Sequence, residues 1–203
     1  MGEYGHARED YTQALSLARD LGDRRGEVLA LWGLGEVERL VGGYGQAREY
    51  HTQALSLARD LGYRPGEVLA LWALGEVERL VGGYGQAREY HTQALSLARD
   101  LGDRPGEVDA LRGLGHVERL VGEYGQARKD YTQALSLARD LGYRFGEVLA
   151  LWGLGEVERR IGEYEQAREY HSQALSLARD LGYRPGEAEG RLRQWKHALR
   201  RVR

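Results

Sequence analysis

The chain repeats itself every 40 residues. The segment GEVLALWGLGEVERL at 26–40 returns with small changes at 66–80, 106–120 and 146–160. A second segment, YGQAREYHTQALSLARDLGY, starts at Tyr44 and has relatives that start at Tyr4, Tyr84, Tyr124 and Tyr164. A fixed period of tens of residues is typical of repeat architectures in which each unit packs only on its neighbours. The sequence therefore predicts an array of similar units rather than one closed core.

Each period contains two predicted helices, which we call the first and the second helix of a copy. In the second copy the first helix runs from about Pro65 to Val81, because proline fits a first helical turn and apolar residues then recur at helical spacing. The Gly-Gly pair that follows ends this helix. The second helix runs from about Tyr84 to Leu101. Its predicted apolar stripe is Ala87, Tyr90, His91, Ala94, Leu97, Ala98 and Leu101.

One such helix pair cannot bury both of its apolar faces, whereas stacked pairs can. The sequence thus predicts an all-α fold, an α-solenoid of stacked antiparallel helix hairpins, over residues 1–203. We expect a half repeat at 3–22, full repeats at about 26–62, 66–102, 106–142 and 146–182, and a C-terminal capping helix at 186–201. Small residues such as Gly75, Ala87 and Ala94 fall where helices would need to approach closely.

Composition narrows the classes of partner. The 29 basic and 31 acidic side chains give a net charge of −2, which does not favour nucleic acid. The chain has no cysteine, so a reducing, cytoplasmic compartment is expected. Neither a membrane span nor a secretory signal is recognisable, so no membrane partner is expected.

The hairpin pattern resembles the tetratricopeptide repeat, and the match keeps its register four times. In the first full copy the matching residues are Leu34-Gly35, Gly42, Tyr44, Ala47 and Ala54-Leu55, and each returns at steps of 40. The usual repeat of that family has 34 residues. The longer form found here resembles the repeats of Pins/LGN-like adaptors, kinesin light chain and many sensor ATPases.

The resemblance implies a superhelix whose first helices line a concave groove that binds a peptide or partner helix. It implies no catalytic residue, cofactor or metal, so we expect a protein-interaction module and not an enzyme. Carried onto this chain, the groove residues are Leu29, Trp32, Glu36, Arg39, Leu69, Trp72, Glu76, Arg79, Asp109, Arg112, His116, Arg119, Leu149, Trp152, Glu156 and Arg159.

Differences between the copies bear on this assignment. The third first helix reads GEVDALRGLGHVERL, so Asp109, Arg112 and His116 replace leucine, tryptophan and glutamate. On a helical wheel, five of the six positions that vary among the first helices share an arc of about 100°. Two interpretations fit: this arc recognises a ligand, or it faces solvent and drifts freely.

The individual residue types also have two interpretations each. The tryptophans suit binding contacts, since large aromatic side chains carry much interface energy, but they would equally suit packing on the neighbouring repeat. The arginine row could bind carboxylates or peptide carbonyls, whereas i, i+3 pairing with the glutamates on a solvated face is the alternative that we favour. His51, His91 and His171 occur once per repeat, so we expect partly buried side chains rather than metal ligands.

A further row of glutamates departs from the family pattern. Glu38, Glu78, Glu118 and Glu158 stand where an aromatic or small residue is usual, and a buried unpaired carboxylate would be costly. We expect Arg48, Arg88, Arg128 and Arg168 on the second helix of the same copies as partners. Gly33-Leu34-Gly35 superficially resembles a phosphate loop, but it lies within a helix and lacks a following Lys-Ser/Thr.

The two ends suggest an alternative function. The opening helix at 3–21 has no first helix before it, so we expect a larger parent protein or homo-oligomerisation through exposed terminal helices to cover it. The basic last helix is expected to be a solvated cap, although an acidic partner, a membrane surface or RNA would also suit it. Near-identical copies would equally fit a self-assembling or designed consensus scaffold with no dedicated ligand.

Overall fold

The computed structural model describes residues 3–182, and these form nine α-helices without any strand. In chain order they are α1 (Glu3–Leu21), α2 (Arg24–Val41), α3 (Tyr44–Asp60), α4 (Arg64–Leu80), α5 (Tyr84–Leu101), α6 (Arg104–Val121), α7 (Tyr124–Asp140), α8 (Arg144–Ile161) and α9 (Tyr164–Asp180). The even-numbered helices are the first helices of the copies and the odd-numbered ones the second helices. The predicted all-α hairpin array is confirmed.

Helix positions follow the sequence prediction closely. The helix α5 has the predicted bounds, and α4 begins and ends one residue earlier than predicted. The predicted capping helix at 186–201 lies outside the described residues. The local signals of the repeat therefore suffice to place these helices on the chain.

Glycines with left-handed backbone end the helices. Nine of them, spaced 20 residues apart from Gly22 to Gly182, have φ between 60° and 92°. Only glycine takes this conformation without steric cost, and it lets the chain reverse within three residues. At the opposite ends of α2 and α6, the carboxylates of Asp23 and Asp103 accept hydrogen bonds from the backbone N–H of Gly26 and Gly106, at 2.9 and 3.0 Å.

The helices form two layers with different spacing. Each second helix between α3 and α7 packs between the first helix of its own copy and that of the next. Consecutive first helices also contact one another, as α2 does α4, α4 does α6 and α6 does α8. Within residues 3–182, no two second helices make contacts as extensive. The first helices are therefore the more closely spaced of the two layers.

Small residues allow the two layers to meet. Ala87 and Ala94 of α5 are fully buried. A Cβ atom on Gly75 would lie 2.6 Å from Cε1 of His91, so only glycine fits at this crossing. The prediction that these positions need small side chains is confirmed.

The core of each copy lies between its two helices and the next first helix. In α6 the side chains of Ala110, Leu111, Leu114 and Val117 are buried. Leu120, three residues after Val117, continues this apolar pattern but is exposed, as is the equivalent Leu40. The predicted Leu101 of the second-helix stripe is exposed too. The apolar pattern thus continues for one turn beyond the region in which the helices pack.

Candidate functional site

The predicted groove residues lie on the four first helices, at positions related by steps of 40. We call each first helix, in chain order, one level of the array. The tryptophans at three of the four levels, Trp32, Trp72 and Trp152, are half-buried. Trp72 and Trp152 pack against the core, and the ring centroid of Trp152 lies 6.5 Å from that of His171 in the same hairpin. Each indole thus packs on its own array with one part and presents the rest to solvent.

At three levels a glutamate and an arginine form a forked ion pair within one helix. Arg39 donates to both carboxylate oxygens of Glu36 at 2.9 and 2.7 Å. The pairs Glu76–Arg79 and Glu156–Arg159 repeat the arrangement, with closest distances of 2.8 Å. The predicted i, i+3 pairing is therefore present. The pairs are not on a solvated face, however, because side-chain exposure of both Glu36 and Arg39 is only 11%.

A buried histidine stands behind each of these pairs. Nε2 of His51 lies 3.6 Å from the nearest oxygen of Glu36, and His91 and His171 have the same distance to Glu76 and Glu156. Burial lowers the pKa of His51 and His91 to about 4, so both rings are neutral at physiological pH. They are buried completely, more deeply than predicted. No group of metal-ligating side chains occurs in the part of the chain that the structure describes.

The third level differs from the other three, and we call its residues Asp109, Arg112, His116 and Arg119 the notch. His116 replaces the glutamate, so Arg119 has no carboxylate three residues before it. Arg112 replaces the tryptophan, and its Nη2 lies 3.8 Å from Oδ1 of Asp109. The hydroxyl of Tyr143 also donates a hydrogen bond to Asp109, at 3.4 Å.

The notch has a different charge from the equivalent residues of the other levels. Burial lowers the pKa of His116 well below its ordinary value, and the charges of Arg79 and Arg119 lower it further. The ring is therefore neutral. The notch therefore contains two guanidinium groups and one carboxylate, that of Asp109, whereas Glu36 and Arg39 balance each other at the first level.

A second row of ion pairs joins neighbouring hairpins. Arg48 of α3 contacts Glu78 of α4 at 2.6 Å, and Arg128 of α7 binds Glu158 of α8 with two hydrogen bonds. The prediction that arginines neutralise this glutamate row is right in residue type. It is wrong in the copy, since Glu78 pairs with Arg48 of the preceding copy instead of Arg88. The offset arises because the second helix of one copy packs against the first helix of the next.

The third level is again the exception. Arg88 contacts Glu123 at 2.6 Å. Glu118 instead shares a hydrogen bond with Asp130, and its Oε2 is buried without a hydrogen-bond partner. Burial, this hydrogen bond and the charge of Asp130 raise the pKa of Glu118. A buried carboxyl pair thus takes the place of the ion pair found at the other levels.

Two residues near the notch were missed by the comparison of first helices. Asp130 and Tyr131 replace the Tyr-His dipeptide of the second copy, and both are buried. Arg119 donates a hydrogen bond to the hydroxyl oxygen of Tyr131. The same comparison between copies, extended to the second helices, would have found them.

Two kinds of comparison with known proteins agree on the fold. A sequence profile described as tetratricopeptide repeat matches residues 1–60 and 67–140, and another of the same description matches residues 150–184. None of the curated protein sequences matches the chain significantly. The profiles cover well over half of the chain, which is enough to establish the family.

Several solved structures are similar to this chain at low sequence identity. BtubC from P. vanneervenii is 16% identical with a TM-score of 0.74, covering 89% of this chain and 75% of that one. A Rap protein complexed with competence and sporulation factor is 19% identical with a TM-score of 0.79, covering 86% and 49%. A putative kinesin light chain from Podosopora anserina with nearly identical repeats is 14% identical with a TM-score of 0.66, covering 90% of each chain. This chain therefore spans about half the length of the Rap protein.

No helix between residues 3 and 182 is both long enough and apolar enough to span a membrane.

Proposed function

The chain belongs to the tetratricopeptide-repeat family, and on that premise we propose that it is a protein-interaction module. Its first helices form the wall that binds a peptide or a partner helix. The binding energy comes from many contacts along a preformed surface, so little ordering of the module is needed on binding.

One observation carries the proposal. Trp32, Trp72 and Trp152 recur at the same position of three first helices, and each leaves part of its indole ring accessible. A large aromatic side chain that is anchored on one side contributes strongly at interfaces, because little conformational freedom is lost on binding. Three such rings on consecutive or near-consecutive levels suit a ligand that runs along the array.

The similar structures also support a binding function. The Rap protein was solved complexed with competence and sporulation factor, and a related Rap regulator of the plasmid pLS20 was solved with the Phr* peptide. Their sequence identity to this chain is below 20%, so they support the use of such an array for binding without identifying a ligand.

Peptide selection tests the proposal directly. A random twelve-residue peptide library is selected against the full chain, and the recovered peptides are titrated against wild-type protein and a Trp32→Leu/Trp72→Leu/Trp152→Leu variant. We expect at least tenfold weaker binding to the variant. Equal affinity for both proteins would show that the wall of first helices is not the binding surface.

A control variant places the same kind of change on the other layer. Tyr4→Leu/Tyr164→Leu removes two exposed aromatic rings from the second helices α1 and α9. We expect the selected peptides to bind this variant as they bind the wild type. Circular dichroism before titration shows that both variants keep their helix content.

A second candidate function is assembly into a scaffold, and the exposed face of α1 favours it. Leu17 is 56% exposed, whereas the equivalent Leu57 is 7% exposed. The scattering mass of the wild type would then grow with concentration, and Leu17→Arg would abolish the growth. A mass that stays monomeric at all concentrations would exclude this candidate.

A further inference from the structure

We propose that residues 186–203 of one chain dock on the exposed face of α1 of a second copy, so that chains join head to tail. The proposal rests on the second candidate function, assembly into a scaffold, and names the two surfaces that form the joint. It involves neither the tryptophans of the first helices nor the notch. It is therefore independent of peptide binding by the wall of first helices.

The exposed face of α1 is a packing surface without its covering helix. In α7, which has nearly the same sequence, Ala134 and Leu137 are 0% and 5% exposed because α7 lies between α6 and α8. The equivalent residues of α1 are Ala14, which is exposed, and Leu17, which is 56% exposed. Leu21, one turn further, is 72% exposed. These three residues of α1 form an apolar stripe at helical spacing.

The carboxylates beside this stripe are not neutralised within the array. Arg8 and Arg19 of α1 each bind a glutamate of α2, at 2.8 and 3.0 Å. Asp10 and Asp20 form no ion pair with any residue between 3 and 182. Asp10 lies seven residues before Leu17 and therefore on the same face of the helix. A covering helix that carries basic groups beside apolar ones complements this face.

The last residues of the chain have this complementary pattern. Leu192, Trp195, Leu199 and Val202 recur at i, i+3, i+7 and i+10, which is the spacing of one helix face. Six basic side chains and no acidic one occur between residues 191 and 203. A basic amphipathic segment of this kind is typical of a helix that docks on an acidic partner through its apolar side.

The segment does not fit on α9 of its own chain as a further first helix. In the geometry of the array it would place Arg193 against His171, as Gly113 lies against His91. Even a Cβ on Gly113 would lie 2.5 Å from Cε1 of His91. The four first helices of the array have only glycine or alanine at this position, so an arginine there would not be accommodated.

The joint forms between chains because the two ends of one array are far apart. Successive second helices lack extensive contacts within residues 3–182, so each step between them exceeds the spacing of about 10 Å of packed helices. Four such steps separate α1 from α9, more than about 40 Å along the array, whereas residues 183–191 span at most about 32 Å. A joint between unlike ends repeats from chain to chain and gives open chains of more than two copies.

Two variants of the full chain test the joint, one on each side of it. Leu17→Arg disrupts the face of α1, and Trp195→Glu disrupts the segment. One helix face is a small interface, so we expect dissociation constants of roughly 10–100 µM and record sedimentation velocity from about 5 to 500 µM. The wild-type mass should grow beyond that of a dimer, and each variant alone should stay monomeric. An equimolar mixture of the two variants should form a dimer and no larger species, because each supplies the surface that the other lacks.

A control variant adds the same charge to another side of α1. Ser16 is exposed and lies about 100° around the helix from Leu17, so Ser16→Arg should assemble as the wild type does. Circular dichroism shows that all variants keep their helix content. Loss of assembly in Ser16→Arg would mean that added charge alone, and not the apolar stripe, prevents association, and would contradict the joint.

The outcomes separate this inference from the scaffold function on which it rests. If Trp195→Glu assembles like the wild type, another surface covers α1, so the joint is overturned and scaffold assembly stands. A mixture of variants that stays monomeric also overturns the joint. A monomeric wild type excludes both the joint and the scaffold. Binding of that monomer to phosphatidylserine–phosphatidylcholine vesicles through Trp195, followed by its fluorescence, would then assign the segment to a membrane surface.

Discussion

At the scale of single residues, the same glutamate has two different roles in neighbouring copies. Glu158 is held by two hydrogen bonds from Arg128, whereas Glu118 lies against Asp130 with its pKa raised to about 8. The unfolded chain releases the Glu118 proton near the ordinary value of 4.5, and the folded chain keeps it. Between about pH 4.5 and pH 8 the folded state thus binds more protons, and Glu118 makes stability fall as pH rises.

Equivalent substitutions should therefore have opposite effects. We expect Glu118→Gln to raise the free energy of unfolding at pH 8 by about 1 kcal/mol, because it removes a buried carboxylate beside another. Glu158→Gln should lower it by about 2 kcal/mol, since Arg128 loses its partner. Urea denaturation at pH 5.5 and pH 8 measures both changes, and the Glu118→Gln gain should be smaller at pH 5.5. Equal losses in the two variants would contradict the carboxyl pair.

The residue scale is also where prediction from sequence is incomplete. The sequence predicts that arginines neutralise Glu78 and its equivalents, because a buried carboxylate needs a partner. Which copy provides the arginine was not, since Arg48 and Arg88 have the same local sequence and only the stacking of hairpins distinguishes them. The full burial of His51 likewise depends on the next copy, which a pattern along one helix does not contain.

At the scale of the helix, the glycines divide into two groups with different roles. Gly82 has φ of +84° at the end of a first helix, whereas Gly85 lies in the first turn of α5. A Cβ on either one would meet no atom within 4 Å. An alanine side chain would thus have room at both Gly82 and Gly85, and only the backbone conformation of the two residues differs.

This pair gives a controlled test of the helix ends. We expect Gly82→Ala to destabilise the fold by about 1 kcal/mol, because alanine in a left-handed conformation is strained. Gly85→Ala should stabilise it by up to about 1 kcal/mol, since alanine prefers the helix. Urea denaturation of the two variants and the wild type provides the measurement. Destabilisation by Gly85→Ala would show that this glycine has a role beyond helix propensity.

Helix bounds were the most predictable part of the structure, because the signals that set them are local. The signals that start and end a helix, such as Pro65 and the glycine after α5, act within a few residues. The glycines recur at the end of every helix, and the proline returns at Pro105, so one correct interpretation serves several copies. The candidate wall was less predictable. Its ion pairs follow from i, i+3 spacing, but the burial of those pairs depends on contacts between consecutive first helices.

At the scale of the whole molecule, each helix differs from its equivalents mainly in its neighbours. The segment TQALSLARDL occurs four times, starting at residues 12, 52, 92 and 132. Within residues 3–182, the segment in α1 packs extensively against α2 only, whereas the segment in α5 lies between α4 and α6. Since the local sequence is identical, any difference in local stability reports the packing.

Hydrogen exchange of the backbone amides measures this difference. We expect amides of α5 and α7 to exchange at least tenfold more slowly than the equivalent amides of α1, because an array of this kind opens from the unit with fewest neighbours. NMR resolves the equivalent amides of the four segments separately. Uniform protection would mean that the array unfolds as one cooperative unit, and the neighbour-by-neighbour description would then be wrong.

The offset ion pairs have a consequence for how such a chain can change its length. Arg48 and Glu78 are 30 residues apart and belong to different copies. An inserted 40-residue period therefore carries a glutamate for the arginine of the preceding copy and an arginine for the glutamate of the following copy. If unequal recombination adds or removes one whole period, each of these ion pairs between neighbouring hairpins can still form. The reach of the wall is then adjustable in steps of one hairpin, and the position of the notch from either end of the chain shifts with each step.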